Sequence, residues 1–138
     1  MTFLRLVVAL AALALATSGC ARTAVDDITI TVDNLTDTPI GLYVNGEWVG
    51  TYAAGASTEQ PLGDHGGAPY AVEARSDSGA ILAMVGVNEA QARALAEDGP
   101  AVAIEQGVPC GVIRIVVGEP GPNEVPAPAA SVPLGPCP

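Results

Sequence analysis

Period-two alternation constrains this chain more than any other feature. In "ITITV" the apolar residues Ile28, Ile30 and Val32 alternate with Thr29 and Thr31, which is the pattern of a half-buried strand. "YAVEAR" repeats it with Tyr70, Val72 and Ala74, and "GVIRIVVGE" with Ile113, Ile115 and Val117. Between the first two runs lies "IGLYVNGEWVGTY". Its Asn45-Gly46 pair is a strong short hairpin signal, because a type I′ turn requires positive φ at both central positions. A two-residue turn sets the register: Val44 faces Glu47, Tyr43 faces Trp48, and Leu42 faces Val49. Ile40, Leu42, Val44, Val49 and Thr51 then share the core face. Tyr43 and Trp48 pair on the other face, with Tyr52 on their side.

The remaining segments complete a mostly β chain. "DNLTDTP" reads as a turn and "AAGASTEQPLGDHGGAP" as loop, with a short strand near Thr58 to Leu62. "AILAMVGV" is apolar enough for a central strand, and "AVAIE" is a further one. One helix is expected from Asn88 to Glu97, with Asn88 and Gln91 as a capping box, Glu89 and Arg93 as an i,i+4 pair, and Gly99-Pro100 as the stop. From Pro120 onward lie seven of the twelve prolines, an extended tail with neither helix nor ladder. The expected fold is a small antiparallel β-sandwich with one short helix and a Pro-rich C-terminal tail.

The N-terminus belongs to targeting, not to the fold. "MTFLRLVVALAALALATSGC" has one cation, Arg5, and an apolar run from Leu6 to Ala16. That run is too short for a permanent span, which needs about 20 residues, and it suits an export signal. "LATSGC" resembles the lipobox of bacterial lipoproteins, with Thr17 where Leu is usual. The resemblance implies cleavage before Cys20 and a thioether-linked diacylglycerol on Cys20, with palmitate-type acyl chains. The alternative is ordinary cleavage after "ALA" at residues 14–16. The expected divisions are a signal peptide (1–19), a short tether (20–27), a sandwich domain (28–119) and the tail (120–138). At up to ~3.5 Å per residue the tether holds the domain within about 25 Å of the bilayer.

With Cys20 assigned to lipid, Cys110 and Cys137 remain as an even pair. Export places them in an oxidising compartment, where a disulfide is the default. Free or metal-bound thiols are the alternative, although two ligands make a poor zinc site. A Cys110–Cys137 bond would staple the tail to the last strand, and the face of Tyr43 and Trp48 is a candidate bed for it.

Charge narrows the partners. Beyond residue 19 there are four arginines, no lysine and fifteen carboxylates, a formal charge of −11. Such a surface repels nucleic acid and anionic headgroups, so membrane attachment would have to be covalent, through Cys20.

"LYVNGEWVGTY" followed by "PYAVEARSDSG" resembles the bacterial PEGA-type domains, small β-sandwich modules of exported and surface proteins, over roughly residues 28–85. The resemblance implies a structural or adhesive module and brings no catalytic residues. Other constellations are sparse. Asp64 and His65 in "GDHGG" would be a base and its orienter, but they sit in a glycine-rich loop with no nucleophile assigned; a solvated loop histidine is the simpler reading. Asp33, Asn34 and Asp37 carry the oxygen ligands calcium takes, yet in no known spacing; turn residues are the simpler reading. No cofactor or metal is expected. Tyr43 and Trp48 have two readings. Either the tail or helix covers them as core, or they stand exposed, with Tyr52, as a surface for an envelope protein or glycan. The chain is therefore expected to be a non-enzymatic module, exported and anchored on the extracytoplasmic face of the cell membrane.

Overall fold

The computed structural model describes residues 28–63 and 65–129. In chain order the elements are β1 (Thr29–Thr36), β2 (Ile40–Val44), β3 (Glu47–Tyr52), β4 (Ser57–Pro61), β5 (Tyr70–Arg75) and β6 (Ile81–Val87). The helix α1 (Glu89–Ala96) follows, then β7 (Val102–Val108), β8 (Gly111–Val117) and β9 (Val125–Pro126). One sheet has the order β4-β1-β8-β7-β9 and the other β3-β2-β5-β6. All pairings are antiparallel except β7 with β9. The molecule is a small, mostly β sandwich with a single short helix among the described residues.

The alternation builds the core as the period requires. Ile30 and Val32 of β1 and Ile113, Ile115 and Val117 of β8 are fully buried, as are Ile40, Leu42 and Val44 of β2, Val72 and Ala74 of β5, and Ala83 and Val85 of β6. Two inner faces of short aliphatic side chains interdigitate, the usual sandwich arrangement. The helix forms between its expected ends. Asn88 N–H donates to Gln91 Oε1 at 2.9 Å and Gln91 N–H donates to Asn88 Oδ1 at 2.8 Å, a complete capping box. Ala92 and Leu95 turn inward. Among the described residues no ion pair joins Glu89 to Arg93.

Five expectations need correction. First, "DNLT" is strand, not turn: β1 runs on to Thr36, with Asn34 opposite Ile113 and Thr36 opposite Gly111. The segment stays extended because β8 pairs it throughout and because the Asn34 side chain is spent on distant backbone carbonyls. Second, the hairpin keeps the expected pairs Val44–Glu47 and Tyr43–Trp48, but its register then shifts. Leu42 faces Gly50, and Ile40 faces Tyr52. One extra residue in β3 inverts the parity beyond it, as a bulge does. Thr51 is therefore exposed and Tyr52 is buried in the core, at 3 % exposure.

Third, β6 is an edge strand, not a central one. Its apolar run divides into an inner row (Ala83, Val85, Val87) and outer residues Ile81 and Met84, which are exposed. Fourth, the start of the tail does join a ladder. Val125 N–H donates to Ala101 O at 2.6 Å and Ala127 N–H to Ala103 O at 2.7 Å, both toward the β7 edge. Pro126 lies between the two donors, at a position where an edge ladder needs no N–H from it. Glu124 also accepts from Arg114 Nη2 at 2.6 and 2.7 Å. Fifth, His65 is not simply solvated. Its ring lies 3.4 Å from Glu47 Oε2, and Asn45 Nδ2 donates to its carbonyl at 3.0 Å, which ties the glycine-rich loop to the hairpin tip. Asp64 lies outside the described residues.

Two buried tyrosines give this core an alkaline limit. Burial raises the pKa of both Tyr52 and Tyr70 above the usual phenol value. Tyr52 OH also donates to Gln60 Oε1 at 2.9 Å and Tyr70 OH to Gly66 O at 3.1 Å, bonds that need the proton. A folded-state pKa above the unfolded one keeps its stabilisation below about pH 10 and loses it as pH rises through the folded value. Thermal melting should therefore fall steeply above about pH 10, and the fall should be shallower in Tyr70→Phe. An identical alkaline slope in Tyr70→Phe would exclude Tyr70 as a source.

Candidate functional site

The outer face of the four-stranded sheet is where the expected site residues meet solvent. The pairings Tyr43–Trp48, Tyr43–Glu73 and Glu73–Met84 place Trp48, Tyr43, Glu73 and Met84 in one row across β3, β2, β5 and β6. Trp48 is 59 % exposed, so the indole is not core among the described residues. Of the tail that was a candidate to lie over it, Val125 and Pro126 pair with β7 on the other sheet, and residues 130–138 lie outside the described residues.

Tyr43 and Trp48 are not equivalent. Tyr43 is half-buried and leans over Gly41, where an added Cβ would stand 3.1 Å from its Cε2. The guanidinium carbon of Arg75 sits 4.4 Å from the centroid of the same ring, a cation–π contact. One face of Tyr43 is thus taken by Arg75, and Tyr43 serves as a support. Trp48 is the ring that stands free. Tyr52, expected beside them, is on the opposite side of the sheet.

Arg75 is held a second time. Its Nε donates to Glu73 Oε2 at 2.7 Å, and its Nη2 donates to the same oxygen. Both bonds end on Oε2, so among the described residues neither Glu73 Oε1 nor Arg75 Nη1 has a protein partner. Glu73 and Arg75 were missed in the sequence, though "YAVEAR" places both opposite the inward Tyr70, Val72 and Ala74. Among the described residues they are the only charged side chains on the outward rows of this sheet, and they cancel.

The remaining candidates do not assemble. Asp33 and Asn34 are consecutive in a strand and point to opposite faces. Asp33 accepts from Ser57 Oγ at 2.5 Å and lies 3.8 Å from Arg114, while Asn34 is inside, so a calcium site with Asp37 does not form. Among the described residues no cluster of three or more His, Cys, Asp or Glu is arranged to hold a metal. Cys110 stands at the β7–β8 turn with φ 70°; Cys20 and Cys137 lie outside the described residues. Among the described residues no helix is long and apolar enough to cross a membrane. No family model matches the chain, and neither a curated relative nor a solved structure matches it.

Proposed function

We propose that this protein is a non-enzymatic binding module of the cell envelope, exported and held by a lipid on Cys20, with the outer face of its four-stranded sheet as the docking surface. The observation that carries the docking surface is Trp48. A large ring left 59 % exposed on a small domain, on the same sheet face as a fixed arginine, is the composition of a binding hot spot. The export signal and the "LATSGC" segment support the anchor. The formal charge of −11 beyond residue 19 supports a covalent rather than an electrostatic attachment.

A Cys110–Cys137 disulfide belongs to the same proposal. Cys110 sits at the tip of the β7–β8 hairpin, and the tail has already returned to the β7 edge by Val125. In the chain-entropy picture such a bond stabilises by about 3–4 kcal/mol.

Intact mass spectrometry of the full chain expressed in a bacterium tests anchor and staple together. The expected species lacks residues 1–19, carries a diacylglycerol-type mass on Cys20, and is two hydrogens lighter than its reduced form. On detergent partitioning it enters the detergent phase, and Cys20→Ser moves it to the aqueous phase. An unmodified Cys20 in an aqueous-phase protein would overturn the anchor.

A further inference from the structure

We infer that the docking face takes an uncharged glycan, with a pyranose ring stacked on Trp48 and its hydroxyls bonded by Glu73 and Arg75. This rests on the proposed docking face and adds the chemistry of its occupant.

Three observations converge. The free ring is an indole on a flat strand surface, where the weakly positive C–H face of a pyranose can lie against its π-cloud. Two strands away on the same face stand a donor and an acceptor already fixed in place. Arg75 is pinned by Tyr43 on one side and by two bonds to Glu73 Oε2 on the other. What remains unbonded is Glu73 Oε1, an acceptor, and Arg75 Nη1, a donor. A vicinal pair of hydroxyls can donate to the one and accept from the other at once. Fixing the groups beforehand removes the ordering cost that weakens binding by long side chains. Two strand spacings separate the rows of Trp48 and Glu73, roughly 10 Å, so one extended saccharide can reach both.

Charge decides between glycan classes and against other partners. The outward rows are neutral, because among the described residues their only two charges are bonded to each other, while Glu47 at the hairpin tip faces His65 and the whole chain is at −10. A polyanionic glycan gains no free cation here and meets the repulsion of the rest of the molecule. A cationic partner is drawn to the exposed carboxylates off this row, such as Glu47 at the hairpin tip, Glu59 and Glu105, and not to the bonded Glu73. An uncharged polymer rich in hydroxyls fits what is left.

The test uses the full chain solubilised in a sugar-free detergent, because Trp48 is its single tryptophan and reports the site directly. Trp48 emission is titrated with cellohexaose and mannohexaose, and with hexagalacturonate as the anionic control. At least one neutral hexaose should change the emission saturably, with hexagalacturonate silent. Glu73→Gln and Arg75→Met, at unchanged melting temperature, should each weaken that binding at least tenfold. No response to either neutral hexaose, or binding indifferent to both substitutions, overturns the glycan. Acrylamide quenching separates that failure from failure of the docking face. A red, readily quenched Trp48 with no hexaose response leaves the face to a protein partner, whereas blue, unquenched emission means the face itself is covered.

Discussion

Asn34→Asp should destabilise the domain more than Asn34→Ala does, although it exchanges only an amide nitrogen for an oxygen. Asn34 is fully buried. Its Nδ2 donates to Thr38 O at 2.9 Å, Ala53 O at 3.1 Å and Tyr52 O at 3.2 Å, while its Oδ1 accepts from Thr36 Oγ1 at 2.6 Å and Thr36 N–H at 3.2 Å. One side chain therefore joins the end of β1, the β1–β2 loop and the residues that follow β3. Alanine strands Thr36 N–H and takes a donor from each of the three carbonyls, although Thr38 O keeps Thr36 Oγ1 and Ala53 O keeps Ala56 N–H. Each buried group so stranded costs about 1–3 kcal/mol, and a total near 3 kcal/mol lowers melting by about 15 °C in a domain of this size. Aspartate is worse. It aims a charged oxygen at three carbonyl oxygens, and an uncompensated buried charge costs about 3–5 kcal/mol against a total stability of about 5–15. The buried carboxyl's pKa must then rise, so its penalty is present at neutral pH and recedes on acidification. Melting of the two variants from pH 7 down to pH 4 checks this. The gap between them should narrow as pH falls, and Asn34→Asp melting close to the native protein would refute the role given to Asn34.

That residue also marks a limit on what could be read from the sequence. Strand runs were legible because a half-buried strand repeats every two residues, and Ile28 to Val32, Tyr70 to Ala74 and Ile113 to Val117 do so. The helix was legible because Asn88 with Gln91 at its start and Gly99 past its end are local signals, each acting within one turn of the end it marks. Asn34 was not, since an Asn beside Asp33 is ordinarily a turn former, and only carbonyls up to 19 residues away make it a strand residue. Pro126 likewise belongs to a ladder only because the chain returns to β7.

Legibility of the site divides along the same line. The Tyr43–Trp48 pair followed from turn length alone and is present. Tyr52 was misplaced because the bulge lies between the turn and it, and "WVGTY" alternates plausibly in either parity. Glu73 and Arg75 lay on the legible outward positions of β5, but two opposite charges two residues apart look like an ordinary solvated face. Their significance comes from Tyr43, brought beside them by the β2–β5 pairing.

Gly111→Ala is expected to cost about 2–5 kcal/mol, the sum of two effects that a single exposed turn glycine does not combine. Gly111 has φ 150°, where an L side chain is strained by about 1–2 kcal/mol. Its methyl would also stand 2.1 Å from Leu35 O and 2.9 Å from Thr36 Cα. Those are backbone atoms of β1, which no rotamer change can move, so the strand itself must shift, an overpacking cost of about 1–3 kcal/mol. The shift would come where β1 is least free to give. Thr36 pairs with Gly111, Leu35 with Val112, and Asn34 next to them carries the buried hydrogen-bond knot. Gly46→Ala is the matched control. Gly46 also has positive φ, 82°, but nothing lies within 4 Å of its Cβ position, so only the backbone strain is incurred. Urea unfolding of the two variants separates the effects. Gly111→Ala should lower the midpoint by at least twice as much as Gly46→Ala. Equal shifts would mean that β1 yields freely to the methyl, and the close approach of β8 to β1 would then not be what requires a glycine after Cys110.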